Sequence, residues 1–376
     1  MSAPVPKKRN IDLDFLRGVA ILSVIGLHLE LPATHYRILS LLIDPFKQMG
    51  GRGVDLFFVL SGFLVGGLLL KEYRDTGVVN GRRFLIRRAF KIWPAYYVFI
   101  LFNAIARHHP LNTFLVANLL HLQNYLGSSL AQTWSLAIEE HFYLVLALFL
   151  TWATWKRLSA PRLLQILGGM CVVALLLRSN DALHGRLSAA FNHTQDRMDS
   201  LLYGVMLATL YWLLPEKFAA MTRRKWPLIA ASVLTFALMY WMPAHPVFDR
   251  SIGYTLVALG IAAFISLMFT YGSAINNWLP YRLIAWVGLY SYGIYLWHSV
   301  VRQPSKILLG RLHIASDPAA WIVSAFVQVG ASIALGYAMS RIVEFPFLYV
   351  RDRFFPAKAQ SPLEVDQVQN ELEVVS

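Results

Sequence analysis

The sequence predicts an all-α polytopic membrane protein, a bundle of about ten transmembrane helices with both termini cytoplasmic. Three observations predict it. Hydrophobic residues make up 57% of the 376 and charged residues only 15%, well under the roughly 25% charge of a soluble domain. Many apolar runs approach twenty residues, the length that crosses a hydrocarbon core of about 30 Å as one helix. Basic residues gather in the short segments between alternate runs, the asymmetry that orients membrane helices.

The runs lie at about 11–31, 53–70, 88–106, 135–153, 162–178, 197–214, 226–243, 252–271, 283–301 and 320–342. With the N-terminus placed inside, 21 of the 34 Lys and Arg fall in inside segments and 11 outside, while Arg17 and Arg341 fall within spans. That bias supports an even number of crossings. The excess of basic residues over 21 acidic ones would point a soluble chain toward nucleic acid. Here it orients helices, so lipid is the expected neighbour and no nucleic-acid partner is expected. The third run carries Pro94, and residues 113–126, short and interrupted by His121, Gln123 and Asn124, are expected to be interfacial or re-entrant.

The expected organisation is a cytoplasmic N-terminus over 1–10, one transmembrane domain over 11–350 and a cytoplasmic, disordered tail over 351–376. The tail is polar and acidic after Pro356 and lacks periodicity. The polar start through Asn10 and the absence of a small-residue cleavage site predict that the first apolar run stays in place as a helix. Cys171, the single cysteine, lies in an apolar run and has no intramolecular partner. No internal repeat of the kind that marks many transporters is visible.

Ionisable residues inside apolar spans are costly and mark cavities, partners or pathways. Arg17 and His28 stand eleven residues apart in the first run. At 100° per residue that is three turns and about 20°, so they share one helix face, about 16 Å apart along the axis. Asp55 opens the second run within GVDLFFVLSGFL, where it would pair with or orient a cationic or imidazole group of the first helix; Ser61 and Gly62 there are small enough for close helix packing. Arg82, Arg83, Arg87, Arg88 and Lys91 crowd the start of the third run, more cations than orientation needs. Arginine offers a bidentate fork for phosphate, so this cluster fits a phosphate-bearing ligand as well as a positive-inside stop or an anionic-lipid contact. TWSLAIEEHFYL sets Glu139 and Glu140 at the mouth of the fourth run, pointing about 100° apart, so that one of them faces the bundle. His298, at the end of SYGIYLWH, reads as a structural hydrogen-bonder among aromatics.

Arg17-(ten residues)-His28, GVDLFFVLSGFL, RRAFKIWPAYY, TWSLAIEEHFYL, TQDRMDSLLYG, SYGIYLWH and VEFP follow one another in an order that resembles the acyltransferase-3 family of integral-membrane O-acyltransferases, over roughly residues 11–350. The resemblance implies a ten-span core that takes an acyl group, commonly acetyl from acetyl-CoA, on the cytoplasmic side and passes it to a hydroxyl. It implies that Arg17 and His28 are the essential pair and that the family's R-x-x-R segment, here Arg88-Ala89-Phe90-Lys91, binds the donor, with lysine at its second position keeping charge but not the fork. Relatives with an extra span and an esterase-like domain exist; this chain is expected to carry neither.

The functional expectation is an acyl-CoA-dependent O-acyltransferase of the cell inner (plasma) membrane. Its acceptor would be a polysaccharide, glycolipid or secreted glycoside, and no metal is expected. CoA phosphates would meet Arg82, Arg83, Arg87, Arg88 and Lys91. His28 would act as general base or transient nucleophile. Arg17 would hold a phosphate or carbonyl or bias His28, with Asp55 and Glu139 (or Glu140) orienting the group. The rival from another class is a glycolipid or solute transporter that uses Arg17, His28, Asp55 and Glu139 as a proton relay.

Overall fold

Helix follows helix from Asn10 onward because every apolar run must satisfy its backbone internally in a lipid environment. The computed structural model describes residues 10–106, 113–127, 130–312, 314 and 316–356. Residues 1–9 and 357–376, most of the expected N-terminal segment and most of the expected tail, lie outside the described residues.

In chain order the helices are α1 Ile11–His28, α2 Arg37–Met49, α3 Arg52–Thr76, α4 Gly81–Ala106, α5 Thr113–Leu119, α6 Gln123–Leu126 and α7 Trp134–Trp155. Then come α8 Ala160–Leu183, α9 Leu187–Asn192, α10 Thr194–Leu213, α11 Pro215–Arg223, α12 Lys225–Trp241 and α13 Pro246–Phe248. The last are α14 Tyr254–Tyr271, α15 Leu279–Leu289, α16 Ser291–Trp297, α17 Arg302–Arg311, α18 Asp317–Met339 and α19 Phe345–Phe354. The Asn10 side chain caps α1 by accepting from the amides of Asp12 (2.9 Å) and Leu13 (3.2 Å). Gly77, at φ 74°, ends α3 in the left-handed conformation that suits glycine. α4 runs unbroken through Pro94 and takes the whole Arg82–Lys91 cluster onto its first turns.

Seven helical stretches among the described residues are long and apolar enough to cross a membrane, or eight if Leu187–Leu213 and α11, bent by 109°, count as one. Each of the ten expected runs falls on helix, yet three are not plain spans. α1 holds Asp12, Asp14 and Arg17 among its 18 residues. The sixth run ends in the sharp bend before Pro215, and the ninth breaks at Tyr290 into α15 and α16. Helix also continues past the expected domain end at 350, since α19 reaches Phe354.

α3 lies at the centre, 78% of its apolar window buried, against 22% for α8 and for α12. Leu176 on α8, Val233 on α12 and Phe326 on α18 instead face outward, as a lipid-contacting surface requires. The expected role of Gly62 is met: a Cβ there would overlap the Leu201 backbone of α10, and one at Gly204 would overlap the Val59 carbonyl of α3. Two glycines thus bring the two helices into backbone contact.

Candidate active site

Arg17 and His28 share a face of α1 but open onto different cavities. Arg17 lines a cavity of about 210 Å³ between α1, α3, α4, α7 and α16, together with Arg88, Lys91, Glu139 and Glu344. His28 lines one of about 500 Å³ whose wall includes Gln123, Asn124, Trp134, Phe191 and His193. No Asp, Glu, Lys or Arg lines the second cavity among the described residues. The helical rise sets the two side chains about 16 Å apart along α1. Val54 and Tyr295 line both cavities.

In the first cavity the basic cluster divides. Arg88 and Lys91, three residues apart and so on neighbouring positions of one helix face, reach the cavity. The Arg88 guanidinium lies 5.6 Å from the Phe84 ring and 5.7 Å from that of Tyr143, packing that keeps it on the cavity side. Arg83 instead pairs with Glu72 (2.5 Å), Arg87 with Asp352 (2.9 Å), and Arg82 is exposed. The two glutamates divide as their 100° offset requires. Glu139 faces the cavity and accepts from the Tyr143 hydroxyl (2.8 Å), which in turn accepts a hydrogen bond from the Ser61 hydroxyl (2.6 Å). Glu140 turns to α4 and accepts from the Trp93 indole (2.9 Å).

His28 closes α1 and is held from several sides. Its Nδ1 lies 2.8 Å from the Val24 carbonyl, an acceptor only, so Nδ1 carries the proton and Nε2 keeps its lone pair. Lys47 of α2 donates to the carbonyls of Leu27 (2.9 Å) and Leu29 (2.5 Å), on either side of His28. Burial pulls that ammonium below its ordinary pKa. The next residue but one, Glu30, is fastened by Arg302 and Lys306 of α17 and exchanges two backbone–amide bonds with Gln328 of α18 (3.0 and 2.8 Å).

Asp55 lies elsewhere than beside Arg17 or His28. It pairs with the fully buried Arg197 of α10 and, at 3.4 Å, with Arg52, which also binds Asp249. The Tyr254 ring sits 3.5 Å from the Arg197 guanidinium and 4.7 Å from that of Arg52. Beside it Arg178, with no exposed surface, binds Asp199 (2.8 Å) and Thr255 (2.6 Å). The set ties α3, α8, α10 and α14 into one unit, with Asp55 inside it rather than in either cavity.

Two residues of the site, Glu344 and Tyr295, escaped the sequence reading of roles, and a third, His298, was read there only as a structural hydrogen-bonder. His298 is buried with its ring centroid 5.0 Å from that of His28, and its Nδ1 meets the Tyr295 carbonyl (2.8 Å). Glu344 enters the first cavity from the π-helical turn Ser340–Glu344, where it accepts from Ser340 (3.1 Å). Tyr295 stands between the cavities. SYGIYLWH and VEFP were the signals, legible as motifs but not as positions. For a metal, the one group of three potential ligands among the described residues is Asp181, His193 and Asp196, whose ligand atoms lie within 4.8 Å of one another, with Arg186 already bound to Asp181 (2.7 Å).

Residues 10–341 match the model of an acyltransferase domain family. The chain is 28% identical over 354 residues to a putative peptidoglycan O-acetyltransferase, YrhL, of Bacillus subtilis, covering 86% of this chain and 52% of that protein. It is 29% identical over 370 residues to the peptidoglycan O-acetyltransferase OatA of Listeria monocytogenes, covering 89% and 55%. Against a putative O-acetyltransferase of Staphylococcus aureus the identity is 25% over 362 residues, covering 89% and 56%. The chain therefore spans about half the length of these relatives. No solved structure matches.

Proposed function

The chain belongs to the acyltransferase-3 family, and on that premise we propose that it is a multi-pass O-acyltransferase that moves an acyl group, acetyl first, from acyl-CoA to a hydroxyl of a cell-envelope carbohydrate. The reading rests above all on the two cavities: one helix face delivers a cation to a charged chamber and an imidazole to an uncharged one.

In this reading the α1 end that bears Arg17 faces the cytoplasm of the plasma membrane, with both chain termini on that side. Donor phosphates meet Arg88 and Lys91, and the thioester arm extends along the first cavity past Arg17 toward Tyr295. The acceptor enters the second cavity, where amides and aromatic rings suit a sugar and its hydroxyls. Nε2 of His28 takes the proton of one hydroxyl; that oxygen bonds to the acyl carbon as the carbon–sulfur bond breaks. The thiolate leaves on the donor side and is protonated there, while the imidazolium returns its proton on the acceptor side. As a transient acyl carrier, His28 would use the same nitrogen. His298 supports the His28 ring, and Glu139, held by Tyr143, balances the cations around the donor.

Mass spectrometry of surface polysaccharides and secreted glycosides from cells with and without the chain tests this directly. The expected difference is loss of an O-acetyl mass when the chain is absent or carries His28→Gln. Unchanged acyl content in both would overturn the reading.

A further inference from the structure

Val54 and Tyr295 are common to both cavities, so whatever passes from one chamber to the other passes them. They are unequal as barriers. Val54 offers a short branched side chain on α3. Tyr295 offers a ring, 6% exposed, that is secured at its far end. Its hydroxyl donates to the Gln132 carbonyl (2.9 Å) and therefore accepts from the Ser135 hydroxyl (2.5 Å). Its face is held edge-on by Phe57 at 6.1 Å between centroids. Its own carbonyl accepts from His298, whose ring lies against His28. One residue thus stands in the wall of both cavities with its side chain and holds His298, the ring beside His28, with its backbone carbonyl.

The chemistry of the two sides gives that closure a use. A charged chamber draws water, and a thioester beside water is exposed to hydrolysis; keeping the reactive carbon apart from bulk solvent until an acceptor arrives suppresses that loss. A closed ring also restricts which acyl groups cross. Burial of the ring and two hydrogen bonds at its tip stabilise the rotamer that stands between the cavities.

Resting on the donor and acceptor assignment above, we propose that Tyr295 is the partition between donor and acceptor chambers, that it shields the thioester from acceptor-side water, and that its swing sets the acyl length allowed through. When the partition is missing, water on the acceptor side attacks the acyl carbon, the carbon–sulfur bond breaks, a carboxylic acid forms and the thiol is released, with no other reactant needed.

Two arms test it on the full chain. In nanodiscs with acetyl-CoA and no acceptor, thiol release by Tyr295→Ala should exceed that of the unaltered chain at least tenfold, and butyryl-CoA should become a substrate. Tyr295→Phe, which keeps the ring and loses only the tip bonds, should fall between. The second arm needs no donor. In proteoliposomes of a Cys171→Ala background, Leu64→Cys places a thiol on the wall of the charged chamber. A membrane-impermeant thiol reagent added on the His28 face should label it only when Tyr295→Ala is also present. Labelling without Tyr295→Ala, or no labelling with it, overturns the partition. Gated labelling together with no thiol release from acetyl-CoA by any form upholds the partition and overturns the acyl-CoA reading instead.

Discussion

Arg87 and Arg88 are neighbours in the chain, yet the fold gives them different surroundings, and a pair of alanine variants tests whether their tasks differ. Arg88 lines the charged cavity and leans on Phe84 and Tyr143. Arg87 binds Asp352, whose side chain is 54% exposed, and the Phe355 carbonyl at the edge of the molecule. A charge-assisted contact to a donor phosphate contributes about 1.5–3 kcal/mol, which is about 10- to 150-fold in Kd. Arg88→Ala should therefore weaken CoA binding to the purified, lipid-reconstituted protein by that factor in calorimetry. Arg88→Lys should recover part of it, because charge returns without the planar fork. Removing an exposed ion pair costs about 0–1 kcal/mol of stability, so Arg87→Ala should leave CoA affinity within about twofold and lower the Tm slightly. Equal loss of affinity in the two alanine variants, or none at Arg88, would refute the division of the cluster and return it to a topological or lipid-binding role.

His28→Gln should be as inactive in acyl transfer as His28→Ala, by about 10²–10⁴-fold, while CoA binding persists; near-normal transfer by the glutamine variant at normal expression would make His28 a packing residue. Asp55→Asn should act on stability, since breaking a buried ion pair costs about 3–5 kcal/mol, and should be read as a lower thermal midpoint of the folded protein; full stability with lost transfer would place Asp55 in the chemistry. Cysteines introduced near Thr76 and near Ala244 should label from opposite faces of the membrane, and labelling from one face would break the proposed order of crossings.

The sequence by itself determined what depends on local geometry and composition. The helical, membrane-embedded character follows from the length of the apolar runs, and the shared face of Arg17 and His28 follows from the helical period. The close approach at Gly62 was legible because only the smallest side chain permits it. Tertiary structure decided everything that depends on which partner arrives from far along the chain. Asp55 turned to Arg197, 142 residues away, because a buried carboxylate takes the nearest desolvated cation rather than one on a preselected helix. Packing of α7 against α3 and α4 chose Glu139 over Glu140 for the cavity, and the contacts of α4 with α19 withdrew Arg87 from it. The breaks that split the ninth run and bent the sixth are likewise packing events, invisible to an average of hydropathy. His298 and Tyr295 entered the site because the short helix after Tyr290 folds back onto α1 and the start of α7. That contact between segments more than 150 residues apart leaves no mark on the spacing of residues within either one.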